Sequence, residues 1–170
     1  MSSGGYLSEE DYERARQLVP ISCVDVLPYR VAHGLEVGLI RRRVPAKNGS
    51  WTSGWALVGG RVYRGETLDV ALRRHIETTL GPHIHWDPGV DWDHPVAVGQ
   101  YLLEPVEGSS FDPRQHSIAV TYAVVLEGSP EPQGEAEDFR WFLPDALPAD
   151  QEIGFDQARV VHAAIDALRA

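Results

Sequence analysis

The stretch Gly54–Gly81, GWALVGGRVYRGETLDVALRRHIETTLG, constrains this chain more than any other part of it. Trp55–Val58 is short, apolar and suited to a buried strand, and it runs into Gly59-Gly60. Thr67 or Glu66 then opens a helix in which Leu68, Leu72 and Ile76 recur every four residues, and Gly81-Pro82 stops it. A strand, a glycine loop and an amphipathic helix in quick succession need a sheet for the helix to cover. A layered structure follows, not a helical bundle.

The flanking sequence supplies the rest of that sheet. Ser8 precedes EEDYERARQLV with Asp11 three residues on, close to a capping box, and Pro20 ends this first helix. Ile21–Leu27 and Leu35–Ile40 read as strands joined by a turn region at Pro28–Gly34, and residues 44–54 read as a loop by composition. Val96–Leu103, Ser117–Leu126 and Glu137–Phe142 are further strands, and Pro144–Leu147 is a turn or a single helical turn. Asp156–Leu168 is a closing helix with Val160, Val161, Ala164, Ile165 and Leu168 on one side. The expected fold is α+β: a mixed sheet between helices, with residues 1–6 a flexible tail and 7–170 one domain. At 170 residues such a domain needs no disulfide or metal staple.

The net charge of −10 argues against a binder of nucleic-acid polymers. The charge is unevenly distributed, however. Residues 41–74 hold Arg41, Arg42, Arg43, Lys47, Arg61, Arg64, Arg73 and Arg74 against Glu66 and Asp69 alone. Arginine grips phosphate with a fork of donors, and a helix start presents unpaired N–H groups. The segment therefore reads either as a pocket for a small phosphorylated ligand or as a solvated basic stripe paired with acids elsewhere.

Cys23 is the one cysteine, so an internal disulfide and a cysteine-based zinc site are excluded, and it reads as a small buried hydrophobe. No basic-then-apolar leader opens the chain and no apolar run is long enough to span a membrane, so the expected location is the cytoplasm.

The Gly54–Gly81 segment resembles the Nudix box, with Gly60, Glu66, Arg74, Ile76 and Gly81 in register. The similarity is greatest to GDP-mannose mannosyl hydrolases and extends outside the box, to Leu7–Tyr12, Pro20–Asp25, Trp55–Val62 and Phe139-Arg140-Trp141. The resemblance implies a Nudix-type α/β/α sandwich, a homodimer, a magnesium or other divalent cation, and hydrolysis of a nucleoside diphosphate-linked compound such as a nucleotide sugar. It implies that Arg61 and Arg74 are catalytic or positioning arginines, and that Arg42 or Arg43 is a further phosphate contact. Asp25 would touch substrate, the Gly59 carbonyl would face the metal, and Gly60, Glu66, Arg74 and Gly81 would shape the box.

The departures from the pattern are as informative. The box positions that carry magnesium-binding glutamates are His75, Thr78 and Thr79. A hard cation wants oxygen ligands, preferably charged, and neutral hydroxyls are weak replacements. The family's general-base histidine aligns with Ala136, and its neighbouring metal-side glutamine with Glu135, which retains a ligand's chemistry. A Glu66–Arg74 ion pair would preserve the loop without any chemistry.

Two functions stay open: an enzyme with an altered metal site held by Gly59 and Glu135, with His75 a further candidate ligand, or a non-catalytic domain binding a phosphorylated ligand through the same arginines. Tyr122 is placed near the same cleft, and His116 is a second candidate base. The cluster His83, His85, Asp87, Asp91, Asp93 and His94 reads as a polar surface loop, with metal binding the alternative.

Overall fold

The computed structural model describes residues 7–46, 48–86 and 89–170. The proposed tail at 1–6, together with Lys47 and Asp87, lies outside the described residues. Helix α1 (Glu9–Leu18) starts as its sequence predicts: the Ser8 hydroxyl oxygen accepts the Asp11 N–H at 3.1 Å, and acids fill the first turn. None of its residues is buried.

Strand β1 (Ile21–Val31) is the middle of the sheet. One edge pairs parallel with β8 (Ser117–Glu127) over Ile21–Tyr29. The other edge is shared between β2 (Leu35–Pro45), which pairs with Tyr29–Val31, and β4 (Val58–Arg61), which pairs with Cys23–Val26. Strand β3 (Trp51–Ala56) and the late strand β9 (Asp138–Phe142) both add to β2. Beyond β8 come β6 (Ala97–Leu102) and β7 (Ser110–Phe111), with β5 (His85–Trp86) on the far end of β8. The sheet is mixed and the fold is of the α+β class expected.

Two expectations need correction. Residues 44–54 are not one loop. Strand β2 continues to Pro45 and β3 begins at Trp51, because Arg42–Val44 and Thr52–Gly54 find each other across a tight connection. Gly59-Gly60 also lie inside β4, opposite Asp25 and Val24, and not in the loop before the helix.

Helix α2 (Leu68–Leu80) covers one face. Thr67 caps its start, accepting the Val70 N–H at 3.3 Å, and Gly81 ends it at φ +95°, a conformation that favours glycine. Ala71, Leu72, Ile76 and Leu80 pack on Val24, Val26, Ile40, Val58 and Val124. Helix α3 (Ala158–Arg169) covers the other face with Val160, Val161, Ala164 and Ile165, against Leu27, Val37, Leu39 and Leu57. Each fully buried large aliphatic contributes about 1.5–3 kcal/mol, so these two stripes hold the helices on. Between β9 and α3 run three single 3-10 turns, the last at Gly154–Asp156.

Candidate functional site

The antiparallel pairing of β1 with β4, the parallel pairing of β1 with β8 and the end of α2 meet at one cleft of about 820 Å³. Alternation along the strands decides which side chains enter it. On β2, Arg42 shares the inward side with Ile40 and Val44 and lines the cleft. Arg41 and Arg43 point the other way; Arg43 lies over Trp51 and is outside the cleft. On β1, Asp25 and Cys23 face the cleft, and on β4 Gly59, Gly60 and Arg61 do.

Tyr122 does not reach it. It shares its face of β8 with Val120 and Val124, is buried under α2, and donates its hydroxyl to the Trp92 carbonyl at 2.7 Å. His116 also lies outside the cleft lining. In the polar loop after α2, His94 and Asp91 pair at 2.8 Å on the surface, and among the described residues no three His, Cys, Asp or Glu side chains converge.

The box residues form a latch. Glu66 takes Arg74 Nε on Oε1 and Arg74 Nη2 on Oε2, both at 2.8 Å, and its Oε2 also accepts the Tyr63 N–H at 2.8 Å. Arg74 Nη2 donates further to the Arg61 carbonyl at 2.9 Å, and its guanidinium lies 3.9 Å from the Tyr63 ring centre. The hydrogen bonds from Arg74 hold Glu66 below the ordinary carboxylate range. Arg74 lines the cleft, but its fork faces Glu66. The loop between β4 and α2 is thus tied to both.

Arg61 differs from the other arginines at the cleft. Its backbone carbonyl receives Arg74 and His75, while its guanidinium lies 3.6 Å from the Tyr12 ring centre and 5.9 Å from that of Tyr63. Among the described residues no carboxylate lies within ion-pair range of it. Arg42 pairs with Glu135 at 2.6 Å. Arg114, which no motif singles out, pairs with Asp112 through its Nε and Nη2 at 2.6–3.2 Å. Three of the four cleft arginines therefore carry their own counter-ion, and Arg61 is the positive charge left over.

Asp25 sits at the floor, 6% exposed, against the backbone of Gly59. A Cβ on residue 59 would overlap both Asp25 Oδ1 and the Val24 carbonyl, which is why glycine stands there. Burial pushes the Asp25 carboxyl up to about 7; Arg42 opposes that shift and Glu135 adds to it. The Cys23 thiol, also desolvated, is pushed up to about 12.

The donor set does not suit the divalent cation that the resemblance implies. Glu135 is held in the cleft because residues 131–136 cap the end of α2: Glu131 and Gln133 N–H groups donate to the Leu80 and Thr79 carbonyls at 2.8 and 3.0 Å. Its carboxylate is taken by Arg42, and burial raises it. Thr78 donates its hydroxyl to the Arg74 carbonyl at 2.7 Å, and Thr79 is buried. His75 Nε2 is engaged between the Arg61 carbonyl at 3.0 Å and Arg74 Nη1 at 3.4 Å. Its desolvation favours the neutral ring. Ala136, at the position of the resembling family's base, is buried in the core. The phosphate-at-helix-start expectation also fails: α2 presents its second half, Arg74, His75, Thr78 and Thr79, to the cleft, not its N-terminus.

Beyond Arg114, the sequence reading missed Tyr12, Tyr101, Gln115, Phe155 and Gln157. Phe155 adopts φ +54° at the last 3-10 turn and lies between Arg42 and Arg114, 5.1 and 4.3 Å from their guanidinium carbons. The Asp156 carboxylate and carbonyl hold this strained turn by accepting the Phe111 N–H and the Ser110 hydroxyl.

A family model described as a domain of unknown function (DUF4916) matches residues 2–168. Among solved structures, that of a possible asymmetric diadenosine tetraphosphate (Ap4A) hydrolase from Jonesia denitrificans is 28% identical with a TM-score of 0.75, covering 88% of this chain and 95% of that one. A MutT Nudix hydrolase from Burkholderia pseudomallei is 23% identical with a TM-score of 0.58, over 89% and 97% of the two chains. The Nudix domain of NrtR from Shewanella oneidensis, in complex with ADP ribose, is 17% identical with a TM-score of 0.59, over 95% and 99%.

Proposed function

Starting from a chain that belongs to the DUF4916 family and has the Nudix hydrolase fold, we propose that its cleft binds a nucleoside diphosphate-linked compound, a nucleotide sugar being the first candidate, without a carboxylate-held divalent cation. One observation carries this reading. Three cleft arginines are neutralised by Glu66, Glu135 and Asp112, while Arg61 lines the cleft without a carboxylate partner among the described residues. A phosphate takes the in-plane N–H donors of a guanidinium in a fork, and Arg61 has them to give. Arg42 and Arg114, already fixed by their own acids, add positive potential without having to be ordered on binding.

Two neighbours support the ligand class. The Jonesia protein is described as a possible hydrolase of diadenosine tetraphosphate, and the Shewanella domain holds ADP ribose. Both compounds join two groups through phosphoanhydride-linked phosphates. The cleft's volume of about 820 Å³ falls in the range usual for small-molecule sites.

Hydrolysis of the same compound is a second reading, and Asp25 favours it. A buried carboxyl held near 7 at the floor of a cleft has the protonation balance of a general base or acid at neutral pH.

The test is a screen of GDP-mannose, ADP-ribose, diadenosine tetraphosphate and inorganic pyrophosphate, scored for thermal stabilisation and for product. Stabilisation that persists in EDTA and is absent from Arg61→Ala is expected. Turnover that vanishes in Asp25→Asn establishes the second reading. Stabilisation that requires magnesium overturns the metal-free reading.

A further inference from the structure

The N-terminal helix is attached to this molecule in an unusual way. All ten residues of α1 are outside the core, so no hydrophobic stripe holds it down. A ten-residue helix of that kind is marginal by itself in water. Among the described residues, three of its polar and ring contacts go to residues that line the cleft. The Tyr12 ring lies on the Arg61 guanidinium, 3.6 Å from its carbon. The Tyr12 hydroxyl donates to Gln115 Oε1. Arg16 Nη1 donates to the Arg114 carbonyl at 3.0 Å.

We propose that α1 is a clasp over the cleft, with Tyr12 as the positioning residue of Arg61, and that seating a diphosphate on Arg61 fastens the helix. The proposal rests on the phosphate-binding role of Arg61 given above and adds a residue and a coupled element to it.

The physical basis is the shape of a guanidinium. Its faces stack on aromatic rings and its edges carry the N–H donors, so the two uses do not compete. The Tyr12 ring lies over the Arg61 guanidinium carbon and Arg61 lines the cleft, so a stacked Tyr12 leaves the N–H edges to a ligand. An arginine side chain loses much rotamer freedom when it grips an anion, and the Tyr12 stack removes part of that freedom beforehand. Coupling of this kind is reciprocal: if the seated helix improves phosphate affinity, bound phosphate holds the helix equally more firmly.

Hydrogen–deuterium exchange of the full chain, read on peptides covering residues 9–19, tests this with pyrophosphate and with GDP-mannose as probes, alongside their dissociation constants. In the wild type, α1 amides are expected to exchange several-fold more slowly with probe than without. Tyr12→Leu is expected to remove that protection and to weaken binding about five- to tenfold, the range of a stacked cation. Tyr12→Phe, which keeps the ring and loses only the hydroxyl, is expected to restore most of the affinity. Since α1 lies outside the core, neither substitution should move the thermal midpoint of the free protein by more than a degree or two. Wild-type binding with unchanged α1 exchange, or with Tyr12→Leu as tight as wild type, overturns the clasp and leaves the phosphate site standing. If the wild type binds neither probe, the phosphate site and the clasp fall together.

Discussion

If the Glu66–Arg74 pair is a latch, replacing Glu66 by Gln should unfasten the loop that carries Arg61. The carboxylate accepts three hydrogen bonds, two from the Arg74 fork and one from the Tyr63 N–H. Glutamine retains one acceptor oxygen and turns an amide NH2 toward the guanidinium. Removing one partner of a buried ion pair costs about 3–5 kcal/mol, because the other charge is left uncompensated. Glu66 and Arg74 keep 16% and 26% side-chain exposure, so water relieves part of that and the cost falls to about 2–3 kcal/mol. In a domain of this size each kcal/mol moves the thermal midpoint by about 2–4 °C, so a fall of about 4–12 °C at pH 7 is expected by calorimetry or circular dichroism.

Asp69→Asn is the control. Its partner Arg73 is 3.6 Å away and both are about half exposed, so that change should cost about 1 kcal/mol or less. The pH dependence has a definite sign. Arg74 lowers the folded-state pKa of Glu66, so the latch's contribution is present above the ordinary glutamate range and is lost as pH falls through the lowered value. Wild type and Glu66→Gln should therefore converge in acid. Equal midpoints for Glu66→Gln and Asp69→Asn at pH 7 would refute the latch.

Three other residues give independent checks. Burial raises Asp25 to about 7, so its ionisation opposes folding: the wild type should lose stability between about pH 4 and pH 7, and Asp25→Asn, measured by thermal midpoint at pH 5 and pH 8, should flatten that slope. Gly59→Ala should destabilise far more than Gly65→Ala in urea titrations. Both glycines have positive φ, but only at residue 59 would the added carbon overlap Asp25 and the Val24 carbonyl. Cys23, half-buried in the cleft wall with its thiol pushed up to about 12, should resist thiol reagents at pH 8 in the folded protein and react once urea unfolds it; rapid native labelling would contradict the raised thiol.

The parts of this molecule that sequence revealed are those set by local periodicity. Leu68, Leu72 and Ile76 mark α2, and the Ser8 and Thr67 caps mark two helix starts, whereas the choice between Arg42 and Arg43 waited on the register of β2. The Glu66–Arg74 ion pair, raised from the sequence as a way to keep the loop's shape without chemistry, is present in the structure.

The cleft was less legible because its wall is assembled from distant segments. The parallel pairing of β1 with β8 brings Arg114 and Gln115 to Tyr12 and Cys23, about a hundred residues away, and no local pattern encodes that proximity. Tyr122 was misplaced by one face of a strand, since its side is decided by β8's register against β1 and not by its own neighbours. Phe155 enters the wall only because its backbone turns to φ +54°, in a segment without glycine at that position.

The central claim is that Arg61 binds a diphosphate without help from a divalent cation. Isothermal titration of GDP-mannose and pyrophosphate into wild type and Arg61→Ala, each in EDTA and in magnesium, addresses it directly. Wild-type binding of equal strength in both buffers is expected, with at least a tenfold loss in Arg61→Ala, the effect of removing a fully engaged charge-assisted fork. Binding that appears only with magnesium, or that survives Arg61→Ala undiminished, would contradict it.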